Sequence, residues 1–221
     1  MCGRFTQFAE PKELEKMFHK NFEYKYRGPN YNVAPTQSVA IVTPDAIIQA
    51  RFGLVPVWAK SLNTGYTMIN AKAETILEKP AYKGLFRHHR CLVPATGFYE
   101  WSGETSPKQP HFFTLNDRRI FAFAGLYTTR QDAEGQDLSS FTIITTTPNK
   151  LVGKVHDRMP VILEKNEEEL WLNTPPEDAE SLLGLLDSYP TSKMNDTLVS
   201  TAVNSTSAKN SKELITPINS K

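Results

Sequence analysis

Between residues 38 and 146 the chain breaks into short apolar runs separated by turn residues, and this punctuation constrains the fold more than any other feature. Residues 38–42 (SVAIV) and 47–52 (IIQARF) flank a Thr43-Pro44-Asp45 turn. Residues 91–94 and 98–101 flank Thr96-Gly97, and further runs follow at 111–115, 120–127 and 141–146. Each run has the length of a strand and is bounded by the residues that favour turns. Strands joined by turns, rather than by helices of regular length, predict an α+β fold with a largely antiparallel sheet and exclude a doubly wound one.

Helical spacing is confined to the flanks. Leu14, Met17 and Phe18 recur at helical intervals in residues 10–20, with Pro11 in the first turn. Residues 73–83 predict a second helix, interrupted or ended by Pro80. Two more helices are expected at 166–173 and 177–187, after a last apolar run at 161–163. No composition break or repeat divides the 221 residues, so a single domain over 1–221 is expected, with the tail from about 190 packed or partly flexible.

Composition excludes several classes. A chain that is 39% hydrophobic and 22% charged is neither disordered nor built to span a membrane with helices. With two cysteines, Cys2 and Cys91, there is no disulfide framework, and together with the lack of a secretory leader this predicts a cytoplasmic protein. The net charge of +1 argues against a globally basic nucleic-acid binder. It conceals an asymmetry: residues 1–100 carry 13 Lys/Arg against 8 Asp/Glu, and residues 166–221 carry 4 against 9. His88-His89 is adjacent rather than at ligand spacing, and there is no Cys-x-x-Cys or phosphate-binding glycine loop, so neither metal nor cofactor is expected.

The sharpest chemical feature is Cys2. Removal of Met1 would leave an α-amine and a thiol on one residue, with ordinary pKa values of about 8 and about 8.5. Such a 1,2-aminothiol condenses with an aldehyde to an imine and then closes a thiazolidine, which an internal cysteine cannot do. Glu100 lies between aromatics in Gly97-Phe98-Tyr99-Glu100-Trp101, where burial would raise its pKa towards neutrality and suit it to acid–base work. His156 is followed by Asp157 and Arg158, a setting for a proton shuttle. A paired glutamate and a hydrogen-bonded core histidine are the alternatives. Gly53-Leu54-Val55-Pro56-Val57-Trp58 and Tyr31-Asn32-Val33-Ala34-Pro35 read either as proline-stiffened surfaces for bases or as core packing.

Taken in order, these segments, with Met1-Cys2-Gly3-Arg4, Asn70 through Thr75, Lys108-Gln109-Pro110 and His156-Asp157-Arg158-Met159-Pro160, resemble the SRAP family of abasic-site processing proteins. The resemblance implies a barrel-like β core flanked by short helices. It implies capture of the ring-opened abasic sugar in single-stranded DNA as a thiazolidine on Cys2, with lyase-type imine chemistry and removal of Met1 by the protein itself or by an aminopeptidase. By position it makes Asn70 the residue that orients Cys2 and the sugar, Glu100 the acid–base group and His156 a second proton shuttle. Arg4, Lys72 and Arg158 match phosphate contacts; Pro35, Trp58 and Trp101 match surfaces that hold flanking bases. The implied partner is DNA, with no membrane, and the chain is expected to act as a monomer that joins the nucleoid at damaged DNA. Lys72 stands where the family usually has Arg, and the family's Asn-rich C-terminal motif is kept in part, around Asn204. The alternative enzyme is an N-terminal-nucleophile glutamine amidotransferase, which also begins Met-Cys-Gly; the non-enzymatic alternative is a single-stranded DNA-binding module with an inert Cys2.

Overall fold

The computed structural model describes residues 3–59, 61, 67–131 and 135–218. Its strands and helices run in the order β1 (Phe5–Gln7), α1 (Pro11–Phe18), β2 (Asn30–Val33), β3 (Ser38–Val42), β4 (Ile47–Phe52), β5 (Asn70–Lys72), α2 (Pro80–His88), β6 (Arg90–Ala95) and β7 (Gly97–Ser102). Then come β8 (Gln109–Leu115), β9 (Phe121–Gln131), β10 (Asp137–Thr146), β11 (Met159–Pro160), β12 (Ile162–Leu163), α3 (Lys165–Asn173) and β13 (Met194–Leu198).

Strands β10, β4, β3, β6 and β9 pair in that order, and β9 pairs back onto β10, closing a barrel. The β10–β4 and β10–β5 pairs are parallel and the other strand pairs are antiparallel. A second antiparallel sheet, β13-β8-β7-β1-β2, packs over the barrel. The expected α+β class with a barrel-like, mainly antiparallel core is therefore the fold of this chain.

Period-two alternation explains why the apolar runs are nearly continuous. In β3, Val39 and Ile41 face one core while Ala40 and Val42 face another. In β9, Phe121 and Phe123 point inward; Ala122, Ala124 and Leu126 point to the helices. The inner core is aromatic: Phe5 from the second sheet meets Phe52 and Phe123 edge-on, with ring centroids 5.5 and 5.9 Å apart. Inside the barrel, a Cβ on Gly125 would come within 3.0 Å of both Val93 and Cys91, so the close packing there requires glycine. The outer core seats Leu14 and Phe18 of α1, Phe86 of α2 and Trp171 of α3.

Several expectations change in detail. Residues 73–83 do not form one helix: a 3-10 turn covers Ala73–Thr75, and Pro80 opens α2 at its first turn instead of ending a helix. Residues 177–187 form a 3-10 segment, Pro176–Leu185. The strands around Thr96-Gly97 enter different sheets, so that turn is a crossover. Strand β13, unmarked by apolar alternation, pairs along its whole length with β8 and anchors the tail. Beyond it Val199, Val203 and Leu214 are buried against Tyr99 and Phe112. Among the described residues no helix is long and apolar enough to cross a membrane.

Candidate functional site

Alternation along β7 decides where its carboxylate goes. Phe98 joins the inner aromatic core, and Tyr99 and Trp101 point the other way, to Phe112 and the tail. Glu100 shares the face of Phe98 and is 2% exposed. Burial pushes its carboxyl up to about 7, and Asp157 pushes in the same direction.

Two histidines approach this carboxylate by different routes. His111 stands opposite Glu100 in the β7–β8 register, but its ring nitrogens meet Ser102 Oγ at 2.9 Å and Asp196 at 2.9 Å, linking β7, β8 and β13. His156 arrives from the loop after the 3-10 turn Val152–Lys154 and places Nε2 3.9 Å from Glu100 Oε2. That loop is shaped by the buried Asn149, whose Oδ1 accepts from the backbone N–H groups of Leu151 and Val152, both at 3.0 Å. The backbone N–H of His156 closes the turn on Val152 O at 2.9 Å. Burial lowers the His156 pKa, Lys108 lowers it further, and Asp157 opposes both.

The end of β10 gathers the remaining motifs. Thr145 pairs with Lys72 of β5 on one side and with Pro160 of β11 on the other. Asn70 opens β5; its carbonyl accepts from Tyr82 Oη at 3.2 Å, which ties the strand to α2. Lys72 is exposed. Arg158 is not: its guanidinium grips Glu74 with both amino groups at 2.6 and 2.8 Å and donates to Thr145 O at 2.6 Å. The pairing holds the Glu74 carboxyl below its ordinary value.

Arg4 is likewise engaged. Its guanidinium donates to Asn32 Oδ1 at 2.6 Å, Val203 O at 2.9 Å and Asn204 O at 3.3 Å, and lies 5.7 Å from the centre of the Trp101 ring. Asn204 in turn accepts from Trp101 Nε1 at 2.6 Å and donates to Lys108 O at 2.9 Å. The partly kept C-terminal motif is thus a clasp over the chain two residues after Cys2. Cys2 itself lies outside the described residues.

Trp58 is 69% exposed on the loop after β4, at the rim of a groove of about 350 Å³ floored by Pro80, Ala81, Gly84 and Leu85 of α2. Arg130 holds that loop by donating to Ala59 O at 2.5 Å. Pro35 is half-buried where β2 turns into β3, beside Thr36 at a φ of 77°. The structure therefore brings Glu100 and His156 together and places Asn70 and Lys72 across the end of β10 from the His156 loop. Trp58 and Pro35 stand on separate loops. Sequence reasoning missed Glu74, Asn149 and Arg130, none of which sits in a local pattern that marks its long-range partner. Among the described residues no group of three His, Cys, Asp and Glu side chains is placed to hold a metal ion.

Comparison with known proteins shows which family this chain and its closed barrel with a covering sheet belong to. The family model described as SOS response associated peptidase, SRAP, matches residues 1–206, and the chain belongs to that family. It is 43% identical to the abasic site processing protein YoqW of Bacillus subtilis over 97% of this chain and 99% of that one. It is 30% identical to the abasic site processing protein HMCES of Xenopus tropicalis, over 92% of this chain and 75% of the relative. Among solved structures, a Bacteroides thetaiotaomicron protein superimposes with a TM-score of 0.89 at 28% identity, covering 98% of this chain and all (100%) of the other.

Proposed function

We propose that this protein senses abasic sites in single-stranded DNA during DNA repair and captures them covalently on Cys2. The observation that carries the reading is the pair Glu100 and His156: a carboxyl buried to a pKa of about 7, with an imidazole 3.9 Å away, in a chain whose relatives are named abasic site processing proteins. A group that is half protonated near neutral pH serves a reaction needing both an acid and a base.

The chemistry balances without a cofactor. After Met1 is removed, the Cys2 amine attacks the C1′ aldehyde of the ring-opened sugar and forms a C–N bond. Glu100 protonates the resulting hydroxyl, which leaves as water. The Cys2 thiol then adds to the imine carbon, forming the C–S bond of the thiazolidine and releasing one proton to Glu100. Capture by sulfur removes the imine before it promotes strand cleavage by β-elimination. Asn70, on β5, orients the Cys2 end and the sugar.

In this reading single-stranded DNA contacts Lys72, Pro35, Trp58 and Trp101. Arg4 and Arg158 are held by protein acceptors, so a phosphate reaching either must compete with Asn32 and the tail or with Glu74. The chain acts as a monomer.

The test uses an oligonucleotide with one abasic site. Denaturing electrophoresis and peptide mass spectrometry should show a heat-stable adduct on the N-terminal cysteine, lost in Cys2→Ala. Cys2→Ser should give an adduct that needs borohydride to persist. A heat-stable crosslink from Cys2→Ser, or no adduct with the unaltered protein, overturns the proposal. Glutamine hydrolysis in place of an adduct would assign the amidotransferase chemistry.

A further inference from the structure

The ring of His156 has a second end, and two groups of opposite character meet it there. The backbone N–H of Arg158, a donor, is 3.0 Å from Nδ1; Oδ1 of Asp157, an acceptor, is also 3.0 Å from Nδ1. A ring nitrogen carries either a lone pair or a proton, so it satisfies one of these neighbours at a time. With Nδ1 unprotonated, Arg158 donates to it and the ring's proton sits on Nε2, facing Glu100. With Nδ1 protonated, the ring donates to Asp157. The exchange trades the Arg158 hydrogen bond for an ion-pair contact with Asp157 at the same 3.0 Å distance.

The two ends differ in their access to water. The Glu100 side chain is nearly sealed, whereas that of Asp157 is 87% exposed. We propose that Asp157 is the solvent-side end of a relay that exchanges protons with Glu100 through the two nitrogens of His156, with Glu74 and Arg158 holding the loop in register. The anchoring follows from the Arg158 side chain, fixed to Glu74 and Thr145, which fixes the backbone N–H that faces Nδ1.

The charged groups facing the ring come from four places. Glu100 comes from β7, Lys108 from the segment before β8, and Asp157 and Arg158 from its own loop, while Glu74, after β5, neutralises Arg158. Lys108 disfavours the imidazolium and Asp157 favours it. Protons balance over the cycle. One enters from water through Asp157 to Nδ1 while the Nε2 proton passes to Glu100 for the departing hydroxyl. One returns from the thiol through Glu100 to Nε2 while Nδ1 releases its own to Asp157. Nothing is oxidised or reduced.

The chemical use of this relay rests on the capture reading, but its existence is measurable without DNA. Ring ¹⁵N spectra of the full-length protein should place the neutral ring's proton on Nε2, and Asp157→Asn should lower the His156 midpoint because the imidazolium loses its partner. In single-turnover capture at fixed pH and ionic strength, Asp157→Asn should be slowed about tenfold. Its rate should rise with acetate or imidazole concentration, since a small carrier replaces the missing carboxylate, while the unaltered protein responds to neither. Asp157→Glu should restore buffer independence. An unchanged midpoint overturns the relay, as does a capture rate within about twofold of the unaltered protein. A slow rate that buffer does not rescue, with a lowered Tm, makes Asp157 structural and also overturns it. If the unaltered protein captures no abasic DNA, the capture reading fails and the ring midpoint alone decides the relay.

Discussion

Glu100 and Glu168 are both buried carboxylates, 2% and 3% exposed, and they face different partners. Glu168 of α3 receives two cations, Arg118 at 3.1 Å and Lys165 at 2.9 Å, which oppose the upward push of burial without overcoming it, so its carboxyl stays above the ordinary value. Glu100 faces a histidine at 3.9 Å whose own pKa is lowered by burial, and its carboxyl stays at about 7. Desolvation is common to both; the partner differs. A permanent cation makes a carboxylate a structural strut, and a titratable partner leaves it able to take and give a proton at neutral pH.

The sharpest way to break this contrast is Glu100→Gln. Capture of an abasic oligonucleotide should fall about 10²- to 10⁴-fold, the range of a lost general acid–base group, as read by single-turnover rates. Stability should not fall with it. Glu100 binds its proton more tightly folded, near pH 7, than an unfolded carboxyl does, near the ordinary value of about 4.3. Its contribution is therefore full below the unfolded value and is lost as pH rises through the folded one. Glu100→Gln should remove that decline, and urea melts at pH 5 and 8 would differ less than for the unaltered protein. A variant that loses both activity and stability at pH 8 would place Glu100 with Glu168 as a strut.

Glu168→Gln should do the reverse. It leaves Arg118, which is largely buried, with only the more distant Glu164 carboxylate at 4.0 Å, and should cost about 3 kcal/mol, at the low end for a broken buried pair because Lys165 is exposed. For a chain of this size that is a fall in Tm of about 10 °C by calorimetry. Capture per folded molecule should match the unaltered protein. A selective loss of capture with an unchanged Tm would mean that the helical layer communicates with the site.

Which half of this contrast was legible in the sequence depended on range. The burial of Glu100 followed from its immediate neighbours Phe98, Tyr99 and Trp101, because alternation along a strand is a local rule. Strands β3 and β4 were legible for the same reason. Strand β13 was not, since Met194-Asn195-Asp196-Thr197-Leu198 is mostly polar and its pairing with β8 is a tertiary fact. The segment 73–83 misled because a proline at a helix's first turn and one that ends a helix have the same local composition, and only the fold decides. The arginines show the limit most clearly. Arg4 and Arg158 are positive residues inside the motifs that carry the family resemblance, but their acceptors lie about 199 and 84 residues away in the chain. No local pattern reports that those guanidinium groups are already engaged.

Lys72 and Arg158 carry the contrast from acids to cations. Lys72 is exposed at the edge of β5, and Arg158 is bound to Glu74. Lys72→Ala should reduce the salt slope of binding to single-stranded DNA by about 0.7, the loss of one phosphate contact. Glu74→Gln should leave that slope unchanged or steepen it, because it frees the guanidinium.

Trp58 and Trp171 carry it to aromatics. Trp171 is 0% exposed and its Nε1 donates to Cys91 O at 3.0 Å, so its ring and its polar edge are both spent on the fold. Trp58 keeps most of its surface in solvent beside the groove on α2. Trp58→Ala should therefore leave stability within about 0.5 kcal/mol. It should weaken binding of a DNA strand carrying a tetrahydrofuran site, which has no aldehyde to capture, by about tenfold, the lower part of the range for one stacked base. Trp58→Phe should recover most of the affinity, because stacking needs a π-face and not the indole N–H. Fluorescence anisotropy would read each Kd. If Trp58→Ala binds as tightly as the unaltered protein, the exposed ring does not hold a base, and the DNA path must run on the Pro35 side of the site.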